Sequence, residues 1–350
     1  MRVLFICGQK PTYVRNAVIL KGLRQHGVDV VECCDLSSHY PVRYVKALFK
    51  YFGKRDFDVV FVGFFGQPLV PLIRKITRKP IVFDAFLSAY DTICFDRKWV
   101  SPDSGAGRFC SWLDATSCWS ADAVLLDTQA HIDYFVRTFH LTEDTFHRVF
   151  VGADDSVFYP RDAQSDQFTV FFYGTFRPLQ GIEYIVKAAK ELEPYSDIKF
   201  QIVGTGPEHE RIIHLAQTLH CENVQFVNWV NYDELPLYIA RAAICLGGHF
   251  SESGKAHRTI AGKTFQFLAM RKPVVVGENH ANRELLDESS AFFVDHASPQ
   301  GIAHAVLTLK EDQEMRELLA EKGHTIFKGL CTPSAIGAQV KTICETVMTT

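Results

Sequence analysis

Phe168-Thr-Val-Phe-Phe-Tyr173 runs straight into Gly174, and a helix-length stretch from Ile182 to Leu192 follows. Lys199-Phe-Gln-Ile-Val203 comes next and breaks at Gly204-Thr-Gly206. Short apolar runs alternating with helix-length segments predict parallel strands covered by helices on both faces. Val224–Val227, Ala243–Leu246, Pro273–Val276 and Ala291–Val294 continue the pattern. It is also a restart. Val3-Leu-Phe-Ile-Cys7 ends at Gly8, Asp58–Val62 at Gly63, Pro80–Phe83 at Asp84, and Ala123–Leu126 at Asp127. Val28–Val31 is a further short strand. The polar, turn-rich joint Val151–Pro160 separates the two series.

The sequence therefore predicts an α/β protein with two doubly wound parallel-sheet domains, 1–160 and 161–332. A final helix over 333–350, opening at Pro333, is expected to pack back on the first domain. Ligands of such sheets bind at the carboxyl ends of the strands. Two sheets facing each other would place Gly8, Asp84, Gly174 and Gly204 on the loops of a shared cleft.

The length of 350 residues accommodates two domains at roughly 100–200 residues each. The net charge of 37 − 40 = −3 argues against a globally basic nucleic-acid binder. The ten cysteines include no C-x-x-C pair, so reduced buried thiols and a cytoplasmic setting are expected. Val3–Cys7 is too short for a signal-peptide core, and no apolar run reaches membrane-spanning length. No His/Cys cluster has metal-ligand spacing and H-E-x-x-H is absent, so neither metal nor cofactor is predicted.

One local charge signal stands out. Residues 41–80 hold nine basic side chains against Asp56 and Asp58. Within them, 42–55 reads as an amphipathic basic helix. Val42, Val45, Phe49 and Phe52 form one stripe, and Arg43, Lys46 and Lys50 another. Such a helix can rest on an anionic membrane surface.

The densest motif is Lys255-Ala-His-Arg-Thr-Ile-Ala-Gly-Lys-Thr-Phe-Gln-Phe-Leu-Ala-Met270. Phe265, Leu268 and Ala269 have helix spacing, which puts Gly262-Lys263-Thr264 at a helix start. Free N–H groups there, with Lys255, Arg258 and Lys263, suit an anion such as a diphosphate. A phosphate-binding P-loop would need glycine where His257 stands, so that class is excluded. In Tyr173–Tyr184, Gly174 and Gly181 would let a ligand approach the backbone. After the first strand no G-x-G-x-x-G appears, which argues against a nicotinamide or flavin dinucleotide site. Asp84, and secondarily Asp91, are candidate carboxylates for sugar hydroxyls or proton transfer. Lys10 and Arg15 are candidates for contact with an anionic acceptor.

Taken together, the joint, the Tyr173–Tyr184 turn, Val203–Pro207, Asn228–Pro236 and Lys263–Val276 resemble glycosyltransferase family 4, the group 1 retaining enzymes. The resemblance implies a GT-B fold whose second domain binds a nucleotide sugar and whose first binds a hydroxyl acceptor, a glycan or a lipid-linked one. The family commonly carries Arg after the first turn glycine and Lys before the second. Here those places hold Thr175 and Gln180. It also carries two glutamates, where this chain has Arg258 and Gln266. The resemblance thus implies a divergent branch. Lys255, Arg258 and Lys263, with Arg177, would hold the diphosphate, and Gln266 the ribose. Gly204, Gly262, Thr175 and Thr264 complete the expected donor side. The rival readings are a GT-B-like epimerase or phosphorylase, and a non-catalytic sugar-nucleotide binder.

Overall fold

The computed structural model describes residues 1–54, 56–163 and 166–349, so Arg55 of the expected 42–55 helix lies outside the described residues. The chain forms two compact units. Met1–Gly152 together with Cys331–Thr350 form one, and Ala153–Leu330 the other. The joint residues Ala153–Pro160 thus pack with the second unit.

In the first unit, β1 (Arg2–Cys7), β2 (Asp29–Glu32), β3 (Val59–Gly63), β4 (Ile81–Asp84), β5 (Ala123–Leu126) and β6 (Phe146–Arg148) alternate with helices α1 (Val14–Gln25), α2 (Tyr40–Phe52), α3 (Leu69–Arg74), α4 (Gly105–Trp119) and α5 (Gln129–Phe139). The sheet is parallel, in the order β2-β1-β3-β4-β5-β6. Strand periodicity assigns its two faces. Leu4, Ile6, Val60 and Val62 join the core under α2 to α5. Val3, Phe5, Val59 and Phe61 join the core with Val18, Leu23, Ile336 and Val340 on the other face.

In the second unit, β7 (Phe168–Tyr173), β8 (Ile198–Val203), β9 (Val224–Val227), β10 (Ile244–Leu246), β11 (Val274–Gly277) and β12 (Phe292–Val294) alternate with α6 (Ile182–Glu191), α7 (His209–Thr218), α8 (Leu235–Arg241), α9 (Gly262–Ala269), α10 (His280–Arg283) and α11 (Pro299–Glu311). A further helix, α12 (Gln313–Leu330), follows. The sheet is again parallel, in the order β12-β11-β10-β7-β8-β9. Strand order reverses between β7 and β10, where a doubly wound sheet opens a crevice at its carboxyl edge. Gly174 follows β7 there, and the loop carrying Lys255 and Arg258 follows β10.

The last helix, α13 (Pro333–Thr349), completes the first unit by crossing α1. Their contact is a glycine pair. A Cβ on Gly22 would collide with the Pro333 carbonyl and lie 2.7 Å from Gly337 Cα. One on Gly337 would run into the Gly22 backbone. Among the described residues, no helix is long and apolar enough to cross a membrane. Gly337→Ala should lower the unfolding free energy by about 1–3 kcal/mol through overpacking, measured by urea denaturation. Gly329→Ala, on α12 with open space around it, should leave stability unchanged or slightly raised.

Candidate functional site

The second unit gathers its polar side chains at the β7–β10 crevice. Lys263, in the first turn of α9, is almost fully buried. Its Nζ donates to Gln180 Oε1 and lies 4.4 Å from the centroid of the Phe172 ring. A Cβ on Gly174 would sit 3.6 Å from both Lys263 Cε and Gln180 Oε1, so the glycine's bare side faces this pair. Among the described residues the ammonium meets no carboxylate. Burial alone lowers its pKa to about 7. Ala261 stands at the cap position of α9, and no side chain caps the helix. Gly262 is exposed, with open space where a Cβ would be. A buried cation, an uncapped helix start and an open glycine together suit an incoming anion.

Three loops close around this point. Gly181 has φ +68°, and a Cβ there would come within 2.6 Å of Ser251 N. Phe250 N donates to the Gln180 carbonyl at 3.3 Å, and Ser251 Oγ to that of Leu179 at 2.9 Å. Lys255 is buried in the same loop. Arg258 N donates to the Lys255 carbonyl at 3.1 Å, and the Arg258 guanidinium lies over Gly254. His249 is a participant the sequence reading missed. It is buried, and among the described residues its Nδ1 has no partner. Burial, then the charges of Lys263 and Lys255, push its pKa well below the ordinary histidine range, so it is a neutral imidazole beside two cations. Only its place after β10, at the strand-order reversal, could have pointed to it.

Several expected donor-side roles change. Gly204 has φ +131°, and a Cβ would strike the Gly174 carbonyl, so this glycine serves the contact between two turns. Gly181 likewise serves the close approach of 250–251. Thr264 is fully buried, with its hydroxyl against Gly247 behind the helix start, and does not face a ligand. Gln266 is also buried, and its Oε1 accepts from the Tyr173 hydroxyl. Its N–H end donates to the Tyr232 hydroxyl, so neighbouring tyrosines engage both ends of the amide and the expected ribose contact is not left open. Thr175 is exposed and Arg177 half-buried on the turn after Gly174.

The first-unit candidates are corrected more sharply. Arg15 and Asp84 are both inaccessible and form a bidentate pair. Nε lies 2.9 Å from both carboxylate oxygens, and Nη2 lies 2.7 Å from Oδ1. Arg15 Nη1 also donates to the Val149 carbonyl at 2.7 Å. Burial pushes the Asp84 carboxyl up while Arg15 pulls it back. Asp127, which also raises it, is itself bonded to His131 at 2.8 Å. Neither Asp84 nor Arg15 can contact a sugar or an anionic acceptor as placed. They tie the start of α1 to the ends of β4 and β6. Asp91 is buried in a short π-helical turn over Asp91–Asp96, beside the Ser88–Asp114 hydrogen bond, and is not exposed for proton transfer. A Cβ on Gly8 would strike the Phe65 carbonyl, so Gly8 is a packing position. Lys10 remains exposed.

Two parallel sheets of this construction define the GT-B fold. Structural likenesses over the whole chain show the same architecture. Anabaena Alr3699/HepE, solved with UDP, has a TM-score of 0.73 at 16% identity, covering 99% of this chain and 100% of its own. Sucrose-phosphate synthase from Thermosynechococcus elongatus reaches 0.78 at 15% identity, covering 100% and 99%. Residues 158–325 match the family model of glycosyl transferases group 1. The chain resembles the group 1 glycosyltransferases, and their domain lies in the second unit. Alpha-D-kanosaminyltransferase of Streptomyces kanamyceticus is 25% identical over 77% of this chain and 71% of its own. The lipopolysaccharide core biosynthesis glycosyltransferase LpsD of Rhizobium meliloti is 25% identical over 49% of this chain and 48% of its own. The family-model match and the sequence relatives support a group 1 glycosyltransferase function.

Arg15→Met should destabilise the protein by about 3–5 kcal/mol near neutral pH, because Asp84 stays buried without its partner. Such a carboxyl has a raised pKa in the folded state. The loss should therefore shrink as pH falls and Asp84 protonates, which denaturation at several pH values would show.

Proposed function

We propose that this chain transfers a sugar from a nucleoside-diphosphate donor of the UDP or GDP type to a hydroxyl acceptor, with retention at the anomeric carbon. Retention and family 4 membership rest on the sequence resemblance. The observation that carries the donor class is the Lys263 ammonium, held at Gln180 and Gly174 beside the uncapped start of α9. The HepE neighbour was solved with UDP and, separately, with UDP-glucose, which supports a nucleotide sugar here.

As the acceptor oxygen bonds to the anomeric carbon, the bond to the diphosphate breaks, the bonding pair leaves with the diphosphate, and the departing diphosphate oxygen takes the acceptor's hydroxyl proton. Negative charge grows on the leaving group. Lys263, Lys255 and Arg258, with the first N–H groups of α9, stabilise that charge. Gly174 lets the donor lie against the backbone. This charge is supplied by fixed cations, so turnover is expected to withstand chelation by EDTA. Lys10 contributes to the acceptor side. All ten cysteines are free thiols, which fits a reducing cytoplasm.

Lys263→Met should weaken binding of the cognate nucleoside diphosphate by at least roughly tenfold, the scale of one lost charge-assisted contact. Calorimetry with UDP, GDP and ADP would measure it, and equal affinities for wild type and variant would refute the assignment. A pH profile gives an independent check. The free protein holds Lys263 about half-charged near pH 7, and the diphosphate favours the charged form. Above about pH 7, where the diphosphate is fully ionised, affinity should fall as pH rises. Lys263→Arg should remove that fall, since arginine stays protonated.

A further inference from the structure

We propose that the outer surface of the first unit's α2–α4 helical layer docks on an anionic lipid bilayer. This reading stands independently of the donor site. Helix α2 sits on the sheet through Ala47 and Tyr51, which are buried in the core shared with α3, α4 and α5. Arg43, expected on a basic stripe, is also turned inward. Its guanidinium donates to the carbonyls of Gly8 at 2.8 Å and Ser37 at 2.6 Å. The outward side therefore carries the apolar stripe. Val42, Val45, Phe49 and Phe52 are all exposed, Phe49 by 72%. Their spacing of three, four and three residues lines them along one helix face.

The neighbouring helices continue this surface. Leu72 on α3 and Ile76 just beyond it are exposed, as are Trp112 and Trp119 on α4. Single exposed apolar residues need no explanation, but a run along one helix continued on two neighbours does. Tryptophan and phenylalanine suit the zone between lipid headgroups and chains.

Charge selects the occupant. Lys46 and Lys54 flank the α2 stripe, and Lys75, Arg78 and Lys79 follow α3, all exposed, while Lys50 is paired with Asp35 at 3.5 Å. The two acids of this stretch are turned to Arg2. Asp58 accepts from the Arg2 backbone N at 2.7 Å, and Asp56 pairs with the Arg2 guanidinium. The lysines thus keep a net positive surface around an apolar centre. A second copy of this chain would bring like charges together, whereas an anionic bilayer complements them. Basic residues near such a surface add attraction that salt screens.

The test is flotation of the full chain with phosphatidylcholine vesicles, with and without phosphatidylglycerol. Wild type should float with the anionic vesicles at low salt, and weakly with neutral ones or at high salt. Phe49→Glu/Phe52→Glu should lose binding by roughly tenfold or more with an unchanged melting temperature, since both side chains already face solvent. Lys46→Glu/Lys54→Glu gives a second variant that leaves the apolar stripe intact, and should reduce binding to anionic vesicles only. No flotation at low salt would overturn the proposal, and so would undiminished flotation of both variants. A dimer by light scattering that Phe49→Glu/Phe52→Glu dissociates, without vesicle binding, would overturn it in favour of a second copy.

Discussion

The pairing of β7 with β10 is the constraint on which the second unit depends. Two strands, β8 and β9, run outward from β7 on one side, and two, β11 and β12, from β10 on the other. The helical connections diverge from that line, so the carboxyl ends of these two strands are left without a covering crossover. Every donor-side group described above is held by a segment that begins there. The turn after β7 supplies Gly174 and Gln180. The loop after β10 supplies His249, Lys255 and Arg258, and leads into α9 with Lys263. Gly181 lets these segments approach to backbone contact, and that closeness lets a side chain from α9 reach the turn after β7.

That reach puts an ammonium beside a turn whose own residues at 175 and 180 are uncharged. Position 180 is glutamine, whose oxygen accepts from a lysine 83 residues away. The positive charge is moved from the turn to the helix, while its place in space stays at the turn. The location has an electrostatic cost. An ammonium with a neutral amide and an aromatic face for partners is poorly solvated, which drives its pKa down to about 7. His249 is held neutral by the same burial, with the charges of Lys263 and Lys255 adding to it.

Most of the architecture was legible in the sequence because buried parallel strands are continuous apolar runs that stop at glycine or aspartate. The short strand Phe146-His-Arg148 was not, since an edge strand of three residues with two polar side chains has no such pattern. Among site residues, Lys263 and the helix start at Gly262 were legible because they are adjacent in sequence. Asp84 and Arg15 were misread for an instructive reason. A charged residue at a strand's carboxyl end looks the same whether it faces a ligand or a partner, and here the partner is 69 residues away. Helix α2 shows the same limit. Its stripes are visible in the spacing, but the face that packs inward is a third one, Ala47 and Tyr51, joined by Arg43 through the carbonyls of Gly8 and Ser37.

The crossing of Gly22 and Gly337 bears on how the chain is made. One face of the first sheet, built on Val3, Phe5 and Phe61, is covered by α1 and α13 together, and α13 supplies Ile336, Val340 and Ile343. During synthesis from the N-terminus, that face stays partly open while the entire second unit is being translated. The first unit to leave the ribosome is thus the last to be completed. Until α13 arrives, the apolar residues that it covers on this face have no partner from it.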